Sequence, residues 1–451
     1  MTILMVGSGG REHALIRKLK ESPRVTRIIC APGNGGISRD AQCFPVQTTD
    51  LPGMLALAKS EKADLVFVAP DDPLALGMVD MLRENGIRAF GPTKAAARIE
   101  ASKVFSKTLM EKYNIPTAGY AVFEAADGAL EYIKEQGSFP TVIKADGLAL
   151  GKGVVIAQSL AEAEAALQAM LVEGKFGDSG KRVVIEEFLT GPEVSVLAFT
   201  DGKTLVPMVS SMDHKRALDG DKGLNTGGMG TISPNPHYTP EIAARCMEEI
   251  FLPTVRAMQS EECPFAGCLY FGLMLATPGE ARALAPDENN TPAPASKTPK
   301  IVPKVIEYNA RFGDPEAQVV LPLLDTPLID IIEAVIDGRL AELDIKWKDA
   351  GAACVVLASG GYPEKYENGK IIYGLDENGQ AAGTEIYHAG TAYENGHFIT
   401  NGGRVLGVTG VGETLSGALS RAYAAAGKIT FEGAHYRRDI GRAGQRPEES
   451  Q

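Results

Sequence analysis

The chain opens on an unbroken apolar run, residues 2–7 (TILMVG), and then on residues 10–21, where Ala14, Leu15 and Leu19 recur at helical spacing. Further apolar runs at 27–31, 63–69 and 87–90 are separated by helical or polar stretches. Strands alternating with helices predict a parallel, doubly wound sheet, with ligands bound beyond the carboxyl ends of the strands. The loops there are residues 7–11, 31–36 and 70–73. A helical stretch at 95–113 leads to a strand at 141–145, a glycine-rich loop at 146–153 and a strand at 154–157. An Ala- and Glu-rich helix (160–171), strands at 182–187 and 194–199, an amphipathic helix (242–258) and a strand at 269–276 come next. From residue 352 the pattern changes to short strands (352–359, 369–375, 385–390, 404–410) and a helix at 413–426, an α+β unit. The reading is an α/β multidomain chain: a doubly wound sheet over 1–101, a central unit over 102–328 with a subdomain at about 117–190, a small α+β unit over 329–441 and a polar tail over 442–451.

One segment interrupts this pattern. Residues 278–303 hold six prolines in 26 positions and little apolar content, which is loop composition. It reads as an insertion in a β-hairpin, since the cost of closing a loop grows slowly with its length.

Bulk composition narrows the class. At 451 residues, with 44% hydrophobic and 23% charged positions, the chain has room for several cores. A net charge of −12 argues against nucleic acid as a partner, and no apolar run of membrane-spanning length occurs. The N-terminus has no signal-peptide pattern, and the six cysteines form no Cys-x-x-Cys pair, so buried free thiols in a cytoplasmic protein are expected.

The most informative stretch is residues 305–316, VIEYNARFGDPE. Read as a strand, it places Glu307, Asn309 and Arg311 on one face, each roughly 6.6–6.8 Å from the next. A carboxylate, an amide oxygen and a guanidinium in a row can hold a hard cation at one end and an anion at the other. The alternative is an edge strand with a solvated polar face. The loop Gly7-Ser8-Gly9-Gly10-Arg11-Glu12 begins like a dinucleotide fingerprint, but its third glycine position is Glu12. The second strand leads into Gly33 and Asn34 with no acid for a ribose hydroxyl, so NAD is disfavoured. A single phosphate at the helix N-terminus beside Arg11 fits, as does a plain tight turn. Residues 143–153 carry Lys144 and Lys152 around a glycine-rich loop that is not a Walker A motif, and suit a flap over phosphates or a solvated hairpin. Glu186, Glu187, Phe188, Leu189 and Glu193 connect two apolar strands and can offer backbone groups to an adenine edge and a carboxylate to a ribose, or form an ordinary charged turn. The runs 213–216 (DHKR) and 225–230 (NTGGMG) are polar loops, the second offering backbone N–H groups to an anion. A lone histidine such as His214 is more often structural than catalytic.

In this order, Lys144, the loop at 146–153, residues 186–193 and Glu307-x-Asn309-x-Arg311 resemble an ATP-grasp ligase. With residues 7–11, 213–216, 225–230 and 311–316 the chain closely resembles the phosphoribosylamine–glycine ligase (glycinamide ribonucleotide synthetase) family, from residue 1 to about 441. The resemblance implies an ATP-grasp fold and a purine-biosynthesis enzyme that joins glycine to 5-phosphoribosylamine through glycyl phosphate at the expense of ATP. It further implies Mg²⁺ or Mn²⁺ held by Glu307 and Asn309, with Arg311 and Lys152 as catalytic residues. Lys103, Lys144 and Lys152 would bind ATP phosphates, residues 186–189 would form the adenine hinge, and Glu193 would hold the ribose. Gly9, Gly10, Arg11, Asn34, Asp71, Asp213, Lys215, Asn225 and Asp314 would bind phosphoribosylamine and glycine. Small-molecule substrates and a monomer are expected, with neither nucleic acid nor membrane as partner. Three departures stand out: Asp71 where the family usually has Glu, Ala310 where many relatives have Cys, and the proline-rich insertion. Another ATP-grasp ligase or carboxylase with a different acceptor, a Rossmann-type oxidoreductase, and a nucleotide-binding regulator without turnover are the alternatives.

Overall fold

The computed structural model describes residues 1–149, 153–277 and 301–442. Its N-terminal sheet is all parallel, in the order Gln42–Cys43, Arg27–Pro32, Thr2–Gly7, Leu65–Val68, Ala89–Phe90. Central strands Thr2–Gly7 and Leu65–Val68 are apolar on both faces because helices cover both. The loops at their carboxyl ends carry Arg11 and Asp71, as the alternation predicts.

Two antiparallel four-stranded sheets make the central part. One runs Tyr120–Phe123, Val183–Glu187, Thr141–Ala145, Val154–Ala157 and closes its own core around Ile133, Ile143, Leu167 and Ile185. The other runs Leu205–Pro207, Glu193–Asp201, Ala266–Ala276, Val302–Asn309, and its Val196, Phe271 and Tyr308 join the same core as Leu4 and Val66 of the parallel sheet and Val79 of the helix Met78–Glu84. The ladder between its last two strands extends to Ala276↔Val302, so Ala266–Ala276 and Val302–Asn309 pair as the arms of the expected hairpin, and Val302 and Pro303, read from sequence as the end of the insertion, belong to the second arm; residues 278–300 lie outside the described residues.

Several sequence expectations change. The helix at 95–113 is two helices, Lys94–Ala101 and Lys103–Lys112, because Ser102 turns extended and its hydroxyl caps the second at Phe105 N. Asp146 fixes that break: Oδ1 accepts from Ser102 Oγ and from Val104 N, both at 2.9 Å. The helix at 242–258 runs as Pro240–Cys246 and Leu252–Ser260 through a wide turn at Met247–Phe251, which relieves the ring and missing N–H of Pro253. Residues 369–375 form isolated bridges at Ile371 and Tyr373, not a strand. A hairpin, Thr391–Glu394 with His397–Thr400, and a helix Leu328–Ile336 were not anticipated.

The C-terminal sheet is completed from the middle of the chain. Its order is Met212–Asp213, Gly230–Ser233, Gly351–Ala358, Arg404–Gly412, Glu385–His388. Strands bearing the 213 and 225–230 loops are thereby fixed to the C-terminal unit. That unit also docks on the first helix through a buried histidine pair. His13 Nδ1 accepts from His388 N at 2.8 Å and its Nε2 faces Asp40 at 3.1 Å; His388 meets Thr391 Oγ1 at 3.0 Å and Gly379 O at 2.8 Å. All six cysteines are free, five of them buried, and no described helix is long and apolar enough to cross a membrane.

Candidate active site

A cleft of about 480 Å³ lies between loops of the parallel sheet, the two central sheets and the C-terminal sheet. Its floor is the edge strand Val302–Asn309. The ladder slips at one point: Gly272 faces Glu307 while Leu273 faces Val305, leaving Ile306 as a bulge. The freed Ile306 carbonyl accepts from Lys144 Nζ at 3.0 Å. Glu307 and Asn309 both face the cleft, and Glu307 keeps 40% side-chain exposure. The strand ends at Asn309, so the expected single row of three does not form; Arg311 reaches the cleft from the following turn. Its Nη2 lies 3.0 Å from Glu100 Oε1 and donates to Asn309 Oδ1 at 3.3 Å.

Two oxygen donors on one strand suit a hard cation, and among the described residues no cluster of three or more His, Cys, Asp or Glu could hold a metal alone. Glu307 and Asn309 therefore fit an ion that keeps waters or ligand phosphates in its shell, as Mg²⁺ does. Burial works against the Glu307 charge, but Lys215, Lys144, Arg311 and Lys103 outweigh it and hold the carboxylate below its ordinary pKa.

One wall is built from lysines. Glu186 is buried between Lys107 and Lys144, each at 3.0 Å. Burial opposes its ionisation, and the two lysines reverse that and lower its pKa. Burial pulls Lys107 down to about 8. Lys103 Nζ donates to Gly147 O at 3.0 Å, and its pKa is lowered by burial and by Lys144. Glu187, Phe188, Leu189 and Glu193 continue the lining, and Glu187 Oε2 accepts from Gly119 N at 3.2 Å. The Glu186 side chain thus offsets charge on the lysine wall. Lys152 lies outside the described residues.

The opposite wall comes from the loops tied to the C-terminal unit. Lys215 stands 3.5 Å from Glu307 and 3.8 Å from Asp213. Burial pulls it down, but Glu307, Tyr270, Asp213 and Glu193 raise its pKa well above the ordinary value. Asp213 is pushed well up by burial and by Glu316. Asn225 and Asp314 also line the cleft. The 225–230 run does not offer its N–H groups to an anion as expected. Thr226, Gly227, Gly228 and Met229 N–H donate to Lys215 O, Tyr362 OH, Thr226 Oγ1 and His214 O. Gly228 adopts φ +114°, and a Cβ there would strike Asp213 Oδ1 at 2.6 Å, so glycine is needed beside that carboxylate. His214 is structural: Nδ1 faces Gly230 O, and Nε2 accepts from Gly441 N.

The first loop also differs from expectation. Gly9 N donates to Glu12 Oε2 at 2.6 Å, and Arg11 N donates to Asp314 Oδ2 at 3.3 Å. The residue that broke the dinucleotide fingerprint thus supplies its own anion to the helix N-terminus. Gly9 and Gly10 are not in the cleft lining; Arg11 is, with its Nε held by Glu12 Oε1 at 2.6 Å. Asn34 does not line the cleft either. Its amide donates to Ser8 O and His388 O and accepts from Gly36 and Ile37 N–H, which makes it a strut between loops. Asp71 lines the cleft.

Glu316, the last residue of the 305–316 stretch, lines the site too, and sequence reading missed Glu100, Lys107, Tyr270 and Arg404 beside it. Arg404 enters from the C-terminal unit and donates to Gly227 O at 2.6 Å and Asp314 O at 2.7 Å. Arg437 is fully buried and ties Asp439 to Asp221, bracing the hairpin Arg216–Leu218 and Lys222–Asn225 beneath Asn225. Each of these residues acts across long sequence separations, and no local pattern marks them.

The phosphoribosylglycinamide synthetase family matches in three parts: its N domain at residues 1–100, its ATP-grasp (A) domain at 101–317 and its C domain at 352–443. A phosphoribosylamine–glycine ligase of Clostridium acetobutylicum is 45% identical, covering 98% of this chain and 100% of that protein. That of Neisseria meningitidis serogroup A is 46% identical, with 98% of each covered. Among solved structures, the Thermotoga maritima phosphoribosylamine–glycine ligase superposes with a TM-score of 0.79 at 34% identity, covering 98% of this chain and 100% of that one. The Campylobacter jejuni biotin carboxylase, at 15% identity, 96% and 92% coverage and a TM-score of 0.68, shares the fold.

Proposed function

This chain belongs to the phosphoribosylglycinamide synthetase family, and we propose that it is an ATP-dependent phosphoribosylamine–glycine ligase of purine biosynthesis. The reaction takes ATP, glycine and 5-phosphoribosylamine to ADP, phosphate and the glycinamide ribonucleotide. A glycine carboxylate is a poor electrophile. Its oxygen attacks the γ-phosphorus, the bond to ADP breaks, and glycyl phosphate forms. The amine nitrogen of phosphoribosylamine then attacks the acyl carbon, inorganic phosphate leaves, and the nitrogen gives up a proton. The protein's part is positioning and charge neutralisation.

The observation that carries this reading is the meeting of three charged sets in one cleft: Glu307 and Asn309 on the floor, Lys103 and Lys144 on one wall, Lys215, Asp213 and Asp314 on the other. A divalent ion at Glu307 and Asn309, Mg²⁺ or Mn²⁺, would neutralise phosphate charge when bound. In this reading Lys103, Lys144 and Lys152 hold the phosphates, the backbone of residues 187–189 takes the adenine, and Glu193 takes the ribose. Arg311 lies beside the floor, suited to the charge that builds on glycyl phosphate and on the tetrahedral state after amine attack. Arg11, Asp71, Asp213, Lys215, Asn225 and Asp314 surround the amine and glycine. Free thiols, five of the six buried, suit a reducing cytoplasm, and a monomer is the assembly this reading takes.

The test is ADP release with each substrate omitted in turn. Release that requires both glycine and phosphoribosylamine is expected. Release with bicarbonate and an imidazole nucleotide, but without glycine, would overturn the assignment in favour of a different acceptor on the same ATP site.

A further inference from the structure

Glu100 sits at the end of the helix Lys94–Ala101, at the junction between the parallel sheet and the central unit. Its carboxylate makes two contacts with the turn that leaves the cleft floor. Oε2 accepts from Ala310 N at 2.6 Å, and Oε1 lies 3.0 Å from Arg311 Nη2. The same Nη2 also donates to Asn309 Oδ1, at the longer distance of 3.3 Å, and Nη1 donates to Phe312 O at 3.2 Å. Arg311 is therefore shared between Glu100 and an oxygen that the proposed reading gives to a divalent ion. Asp71, Glu316 and Glu307 also act on its charge. Glu100 itself is held rigidly: its helix is capped by Thr93 at one end, and at the other the chain turns at Ser102, whose hydroxyl donates to Asp146.

We propose that Glu100 is a positioning residue for Arg311, anchoring the guanidinium beside the cleft floor so that Asn309 and Glu307 stay free for a divalent ion. The proposal rests on the proposed function for the divalent ion at Glu307 and Asn309 and for the kinetic effect, but not for the acceptor substrate. Its physical content is a competition. With Glu100 neutralised, the guanidinium loses the charged partner at 3.0 Å and moves toward the carboxylate and amide oxygens of the floor. The ion then has to displace a cation.

Burial raises the Glu100 carboxyl to about 7 against the pull of Arg311, so the comparison is made at pH 8, where the carboxylate is ionised; there Glu100→Gln keeps the shape and an oxygen for the Ala310 amide but removes the charge. The primary readout is ATP binding by the full-length protein as Mn²⁺ is titrated, which needs no acceptor substrate. The Mn²⁺ concentration for half-maximal ATP binding is expected to rise about threefold or more, with ATP affinity at saturating Mn²⁺ changed by less than about twofold. In an Arg311→Met background the same substitution is expected to leave the Mn²⁺ midpoint unchanged, because the residue it acts through is gone. Where the wild type turns over, kcat should fall about tenfold with the KM for ATP nearly constant. An unchanged Mn²⁺ midpoint in Glu100→Gln, or an equal shift in the Arg311→Met background, overturns the proposal. If Glu100→Gln does not fold, Glu100→Asp draws the charge back by one methylene and must move the midpoint in the same direction; no movement overturns it equally. Failure of the wild type to release ADP with glycine and phosphoribosylamine defeats the ligase reading but leaves the Mn²⁺ titration to decide Glu100.

Discussion

The histidine joint and the cleft are both deep polar clusters, and they are built on opposite rules. At the joint, His13 and His388 have partners on both ring nitrogens at 2.8–3.1 Å, and Asp40 is shared with Lys20 at 2.6 Å. The cleft wall tied to the C-terminal unit keeps its charges at arm's length: Lys215 is 3.5 Å from Glu307 and 3.8 Å from Asp213, and Arg404 is 3.6 Å from Asp314. A saturated network fixes one packing and has little left for a ligand. A loosely paired one retains charge that a ligand can complete, at a cost in stability. Proximity of polar groups alone does not separate structure from function here; the degree to which they satisfy one another does.

The largest expected effect comes from breaking the cleft where it touches no core. Glu307→Ala should lower ADP release by about 10³-fold, the scale of losing an electrostatic element of the transition state, with the thermal midpoint moving by less than about 2 °C. Full activity in that variant would remove the floor from the site. Lys107→Met tests the boundary between the two regimes, because the Lys107–Glu186–Lys144 triad is closely paired, at 3.0 Å on both sides, yet lines the cleft. Leaving Glu186 with one lysine should cost about 3 kcal/mol in urea unfolding, and a loss below about 0.5 kcal/mol would place the triad with the loosely paired charges.

The joint is probed by pH. Burial first, then the charge of His13, lowers His388 from 6.5 to about 3. A histidine with a depressed folded-state pKa gives stability that is complete above the unfolded value and is lost as pH falls toward the folded one. Between pH 7 and pH 5 this one group should remove about 2 kcal/mol. His388→Gln should show a shallower fall over the same window, with His13, also lowered by burial, still contributing. Equal slopes in the two proteins would contradict a neutral, buried His388. At the small end, Lys181→Ala on the exposed Asp178–Lys181 pair should leave both activity and the unfolding midpoint unchanged.

How much was legible follows the same division. The parallel sheet was read from its apolar runs because period and burial agree along Thr2–Gly7 and Leu65–Val68. The floor was read because Glu307 and Asn309 stand two apart on one strand. The bulge at Ile306 was invisible, since it depends on the register with Ala266–Ala276, and so was the route by which Arg311 reaches the cleft. Glu12 was noticed only as a defect in a fingerprint. Its carboxylate bonds Gly9 N, and a Cβ on Gly7 (φ +131°) would meet its Cγ at 2.5 Å. Glu100, Lys107 and Arg404 escaped notice because charged residues on helices and strand ends are ordinary in sequence, and only packing turns them inward.

The ladder that closes at Ala276↔Val302 makes this edge strand a handle for engineering. The chain leaves and re-enters the sheet at neighbouring positions, so new termini or a genetically spliced reporter introduced between 277 and 301 would add little closure entropy. Seven residues of strand, about 23 Å, separate Val302 from Asn309. A fluorophore at the far end of the floor strand would therefore share one strand with the oxygens of Glu307 and Asn309, a place from which to watch the cleft.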